Sequence, residues 1–225
     1  MSDKKTVDAH DQEVVDKAIS FWKKNSKKII TISVAIIVVV GGYLGYNNFI
    51  QIPKELKANE ELFAAENNFR KDSFNLALNG SGSTPGFLKV ISKYSGTKAA
   101  NLAHYYAGAS YLQMGEFQKA VDQLNDFSAK GAKQVEAKAE GLLGDAYAEL
   151  KKNDDAIAHY KNAGTIFEED QAISSEYLFR GAMLSEMTGK TDQAIELYQT
   201  LKDKYPRTDK GFIVDKYLAR LGVVK

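Results

Sequence analysis

GASYLQMGEFQKAVDQL, residues 108–124, and GDAYAELKKNDDAIAHY, residues 144–160, are two copies of one pattern. Gly108 and Gly144 open them, 36 residues apart. Tyr111 and Tyr147 follow, then Ala120 and Ala156, then Leu124 and Tyr160. Counted from residues 101 and 137, these are positions 8, 11, 20 and 24 of a repeated unit. The stretch around them has helical apolar spacing and little strand alternation. Small residues at positions 8 and 20 let two antiparallel helices approach closely. Large ones at 11 and 24 fill the space to the next hairpin. A lone hairpin of this kind leaves one face unburied, so hairpins must stack. A third copy runs from Tyr177 through Gly189, Ala194, Tyr198 and Pro206. It reads with one extra residue in its turn and with Gly181 or Ala182 at the small position.

Two junctions carry the pattern outward. Lys93-Tyr-Ser-Gly-Thr97 and Lys204-Tyr-Pro-Arg-Thr208 are the same punctuation, each ending one helix and starting another. A helix over 86–94 then closes a degenerate first repeat opened by a helical pattern over 54–78. Asn79-Gly-Ser-Gly-Ser-Thr-Pro-Gly86 between them reads as a loop, with Pro85 suited to the first turn of the next helix. A helix over 209–221 caps the far end, with Phe212, Tyr217 and Leu218 expected to face inward. The spacing predicts an all-α fold, an α-solenoid of helical hairpins, with clear repeats near 101–129, 137–166 and 174–206. That gives about nine helices after residue 50.

The unit resembles the tetratricopeptide repeat, whose period is about 34 residues. The resemblance implies a concave face lined by the first helix of each hairpin, at positions 2, 5, 9 and 12. Here these are Leu102, Tyr105, Ala109 and Leu112, then Lys138, Gly141, Asp145 and Ala148. The face opens apolar and aromatic and continues small and polar. It lacks the Lys/Asn/Arg set that clamps a C-terminal carboxylate in some members. Apolar or helical protein segments are the expected partners, ahead of an acidic tail. The competing reading is that Leu102 and Tyr105 only pack on the helices at 54–94.

Residues 29–50, IITISVAIIVVVGGYLGYNNFI, contain no charge. As a helix they extend about 33 Å, against about 30 Å of bilayer hydrocarbon. The apolar run is longer than the core of a cleaved signal, and no clean A-x-A site follows. An uncleaved transmembrane anchor is expected, with the lipid bilayer as its surroundings. Lys17, Lys23, Lys24, Lys27 and Lys28 precede it, and Lys54 and Lys57 are the first beyond it. That asymmetry keeps residues 1–28 as a cytoplasmic tail and exports residues 51–225. Gly41 and Gly45, four apart, suit close approach of a second transmembrane helix, in a homodimer or a larger complex.

Of 30 basic and 29 acidic residues, 7 and 5 lie in the first 28, leaving 23 and 24 beyond residue 50. A near-neutral domain offers no concentrated basic face for nucleic acid. The absence of cysteine excludes disulfides and thiol chemistry. His10, His104 and His159 form no zinc-ligand spacing, and no phosphate loop or nucleophile elbow is present. His104 is expected to be partly buried and structural. No catalytic residue, metal or cofactor is expected, and the chain reads as a non-enzyme.

Taken together, a Lys-rich tail, one anchor and an exported repeat domain resemble the YfgM-type ancillary components of the bacterial Sec translocon, over about residues 12–225. The resemblance implies an inner-membrane protein with a periplasmic domain. Its partners would be translocon subunits, a periplasmic chaperone or secretory chains. The second functional reading is an envelope assembly factor that organises cell-wall or outer-membrane machinery.

Overall fold

A computed structural model describes residues 9–223; residues 1–8 of the expected tail lie outside the described residues. The chain divides into two units, Met1–Pro53 and Lys54–Lys225. The first contains helix α1 (Ala9–Tyr46) and a π-helical turn, Asn47–Gln51. Ile36, Ile37, Val38 and Val39 stand more than half exposed, on all sides of α1. A helix that is apolar all round needs a hydrocarbon or protein environment. One helix near the N-terminus is long and apolar enough to cross a membrane. Around Gly41 and Gly45 the space is open.

The second unit is built from α2 (Ile52–Phe69), α3 (Phe74–Asn79), α4 (Phe87–Lys93), α5 (Lys98–Gln113) and α6 (Phe117–Asp126). It continues with α7 (Lys133–Glu149), α8 (Asn153–Ile166), α9 (Gln171–Met187), α10 (Thr191–Lys204) and α11 (Asp209–Arg220). Ten helices thus follow α1 among the described residues, one more than expected. The extra one arises because 54–78 is not continuous. Its chain breaks between Phe69 and Phe74, where Asp72 takes a left-handed φ of 54°. Aspartate tolerates that region better than most residues, so neither glycine nor proline marks the break. The expected loop at 79–86 is a miniature hairpin, β1 (Gly80–Ser81) against β2 (Thr84–Pro85). Pro85 therefore sits in β2, and Gly86 precedes α4.

The three hairpins α5–α6, α7–α8 and α9–α10 close identically. Glu116 N donates to Tyr111 O at 2.9 Å, Lys152 N to Tyr147 O at 2.9 Å, and Lys190 N to Ser185 O at 2.8 Å. Ser185 therefore occupies position 11 of the third copy, Ala182 position 8 and Ala194 position 20. The turn has no extra residue; Gly181 beside Ala182 disguised the register. The small positions do what the pattern requires. A Cβ on Gly108 would lie 2.5 Å from Leu124 Cγ, and one on Gly144 would lie 2.6 Å from the Tyr160 ring.

One cross-hairpin pair varies instructively. His104 Nδ1 meets Gln123 Oε1 at 3.0 Å in the first hairpin, and Glu140 Oε2 meets His159 Nδ1 at 2.8 Å in the second. The same two positions in the third hold Leu178 and Leu197, both buried. His104 is half-buried and structural. Burial alone would raise the Glu140 carboxyl. The His159 and Asn162 hydrogen bonds outweigh it and hold Glu140 below its ordinary value. Glu61 behaves alike: burial opposes, and hydrogen bonds from Lys93 and Tyr94 prevail. A depressed folded-state value stabilises the fold above the unfolded carboxyl's pKa, and the gain is lost as pH falls through the folded one. The urea midpoint is expected to be lower at pH 3 than at pH 5.5, and Glu140→Gln should narrow that difference.

The junctions repeat as well. Thr97 Oγ1 accepts from Ala100 N at 3.0 Å and donates to Tyr94 O at 2.7 Å. Thr208 Oγ1 accepts from Gly211 N at 3.1 Å and donates to Tyr205 O at 2.9 Å. Asp170 caps α9 by accepting from Ile173 N at 3.1 Å, and here the backbone N of Asp170 donates to Phe167 O. At α5 a second cap comes from α2: Glu55 accepts from Lys98 N at 2.8 Å and Ala99 N at 2.9 Å. An anion at a helix N-terminus answers unpaired N–H groups and the helix dipole. Glu55→Ala is expected to cost about 1 kcal/mol, read from the urea midpoint.

Stacking in register brings residues about one repeat apart face to face. Asp145 meets Arg180, Lys161 meets Glu196, Glu168 meets Lys204, and Glu176 meets Lys210. The apolar core runs in three clusters along the array, from Ala58, Leu62 and Phe87 through Val121, Leu124 and Leu143 to Leu178, Leu197 and Tyr198. At the end of the array Val214 and Leu218 of α11 face inward with Tyr217 packed beside them, but Phe212 is 72% exposed. The reason is angular. Val214, Tyr217 and Leu218 share one helix face, and Phe212 lies two residues before it.

Candidate partner-binding groove

Helices α5, α7 and α9 are the first helices of successive hairpins, and α11 follows them. Two hollows lie along this row. One, of about 500 Å³, is lined by Phe69, Leu102, Tyr105, Tyr106, Ala109, Gln113, Val135, Lys138 and Leu142. The other, of about 790 Å³, is lined by Tyr105, Lys138, Leu142, Ala172, Ile173, Glu176, Tyr177, Arg207, Asp209 and Lys210, among others. Tyr105, Lys138 and Leu142 border both, so the hollows form one groove.

The residues singled out from the sequence divide between two places. Leu102, Tyr105, Ala109 and Lys138 come together on the groove. Leu102 also packs on the core beside α2 and α4, so it serves both fold and groove wall. The helices at 54–94 border the groove through Phe69 rather than fill it. Leu112, Asp145 and Ala148 line a separate hollow of about 300 Å³ with Phe117 and Tyr160. Asp145 is engaged there, accepting from Tyr160 Oη at 2.6 Å and from Arg180 at 2.8 and 3.1 Å. Gly141 is buried, because the Tyr177 ring lies over it and a Cβ would collide with that ring.

Several groove residues were not legible in the repeat positions. With the third hairpin in its observed register, position 2 is Glu176, which lines the groove as Leu102 and Lys138 do. Ile173 and Tyr177 lie one turn apart on α9, and Arg207 and Lys210 flank the start of α11. The one available signal was the i, i+4 spacing of Ile173 and Tyr177 near the start of a helix.

Burial and ion pairs set the electrostatics of the groove wall. Burial pushes the Tyr105 phenol up to about 12, with neighbouring Tyr177 and Tyr106 adding to it. Burial likewise raises Tyr177. Both phenols stay protonated at neutral pH and can donate hydrogen bonds. Burial opposes ionisation of Glu176, but Arg180 at 2.8 Å and Lys210 at 3.2 Å hold its carboxyl below the ordinary value. Among the described residues no group of three or more His, Cys, Asp or Glu is placed to hold a metal ion. The groove offers rings, aliphatic wall and fixed charges.

The hairpin α9–α10 with its following junction is the decisive stretch. Residues 176–208 match the tetratricopeptide repeat family. The match begins at Glu176 on the groove and ends at Thr208, the cap of α11. A comparison with curated proteins gave no match. The tetratricopeptide-like α-solenoid is thus the fold of residues beyond the anchor-like helix. Tetratricopeptide repeats generally mediate contacts between proteins, and proteins built from them are typically non-catalytic scaffolds.

Proposed function

We propose that this chain is a membrane-tethered, non-catalytic adaptor that holds protein partners in the groove along α5, α7, α9 and α11. The observation that carries the reading is the groove itself. It is continuous across the hairpins, walled by Leu102, Tyr105, Leu142, Ile173 and Tyr177, and open to solvent. Residues 29–50 serve as the anchor, residues 1–28 remain cytoplasmic and residues 51–225 face the periplasm. The lysines before the anchor support that orientation. Gly41 and Gly45 have room for a second transmembrane helix, from another copy or a membrane partner. The layout resembles the YfgM-type translocon components, which favours a place beside the Sec translocon, with translocon subunits, a periplasmic chaperone or emerging secretory chains as partners. Tethering raises the local concentration, so each contact can be weak.

The experiment is affinity purification of the full-length chain in mild detergent, followed by mass spectrometry. Recovery of translocon subunits or a membrane-anchored chaperone supports the placement. Recovery of cell-wall or outer-membrane assembly proteins overturns the Sec placement and leaves the adaptor role standing.

A further inference from the structure

The larger hollow carries two cations, Lys138 and Arg207, that no described residue pairs. Glu176, the acid in its wall, is already bound by Arg180 and Lys210. Asp209 stands at the first position of α11, where the helix's own unpaired N–H groups meet its charge. Lys138 on α7 and Arg207 just before α11 are both exposed. Neither has an ion pair or side-chain hydrogen bond among the described residues. They lie on either side of α9, whose Ile173 and Tyr177 supply the apolar wall between them. The volume, about 790 Å³, is within the range of sites that enclose most of a bound group.

An apolar side chain seated on Ile173 and Tyr177 would exclude water from between the two cations. Charges at the edge of such a contact interact more strongly than in bulk water. A partner carrying carboxylates on both sides of its apolar residues would pair both cations while covering the apolar wall. A purely apolar partner would leave Lys138 and Arg207 desolvated and unpaired.

We infer that this hollow selects a short protein segment with one or two large apolar residues flanked on both sides by Asp or Glu. The apolar residues lie against Ile173 and Tyr177, and the acids meet Lys138 and Arg207. This rests on the adaptor reading and narrows its partner. The recognised charges are side-chain carboxylates within a chain, so no free C-terminus is needed.

The test uses the full-length chain in lipid nanodiscs and three fluorescein-labelled peptides. One has two glutamates on each side of a central Leu-Phe; the others carry glutamine or lysine in those places. Anisotropy is expected to show the acidic peptide binding on the order of tenfold tighter than the glutamine peptide, with the advantage shrinking as salt rises. The double variant Lys138→Glu, Arg207→Glu should invert the order in favour of the lysine peptide, a result that misfolding cannot produce. Equal binding of acidic and glutamine peptides, abolished by Ile173→Asp, overturns the acidic preference and leaves the adaptor reading intact. Binding of none of the three overturns both.

Discussion

Tyr198→Ala is expected to cost about 3–5 kcal/mol, the range for removing a buried ring and leaving a cavity. Tyr198 is fully buried. Its ring lies 5.9 Å from Phe179 and 5.3 Å from Tyr217, and its hydroxyl donates to Glu186 at 3.1 Å. It therefore joins α9, α10 and α11 at one point. In a stacked array each hairpin touches only its neighbours, so the loss should stay local. Hydrogen exchange should accelerate across α9–α11 while α5 and α6 keep their protection. Equal acceleration along the whole array would contradict nearest-neighbour stacking. Because α9 and α11 wall the larger hollow, the variant should also lose groove binding.

Gly144→Leu is expected to cost at least about 1–3 kcal/mol through overpacking. A Cβ there would already lie 2.6 Å from Cδ1 and Cε1 of Tyr160. That ring cannot swing aside, because Tyr160 is 6% exposed and its hydroxyl is fixed on Asp145. Gly141→Ala is the informative contrast. The atoms it would meet are the far end of the Tyr177 ring, at the groove. Tyr177 can tilt outward, so the urea midpoint should move less than for Gly144→Leu while groove affinity changes. Equal loss of stability in the two variants would contradict this division between hairpin packing and groove wall.

The fold was legible in the sequence wherever a steric need selects one residue type. Gly108 against Leu124 and Gly144 against Tyr160 are such places, and they set the hairpin register. The Lys93–Thr97 and Lys204–Thr208 junctions are others, because a threonine cap needs a hydroxyl at one position. The third hairpin was misread for the same reason in reverse. Gly181 and Ala182 are both small, and Ser185 replaces the tyrosine that would have fixed the count. The break before α3 was hidden because Asp72 adopts a left-handed backbone without glycine. Phe212 points outward because it stands two residues before Val214, off the face that Val214, Tyr217 and Leu218 share.

The groove was half legible. Its helices and its first wall, Leu102, Tyr105 and Ala109, followed from repeat positions. Lys138 did too. Asp145 stands at a groove position by count, yet Tyr160 and Arg180 hold it in the neighbouring hollow. Ile173, Tyr177 and Arg207 depend on how far α9 and α11 extend toward the groove, and no single repeat position encodes that.

The most direct test of the groove is photocrosslinking in cells from two single positions. A photoreactive residue at Ile173 lies on the groove wall, and one at Gln118, exposed on α6, lies off it. Partner crosslinks are expected from position 173 and none from position 118. Crosslinks from position 118 alone would contradict the groove as the partner site.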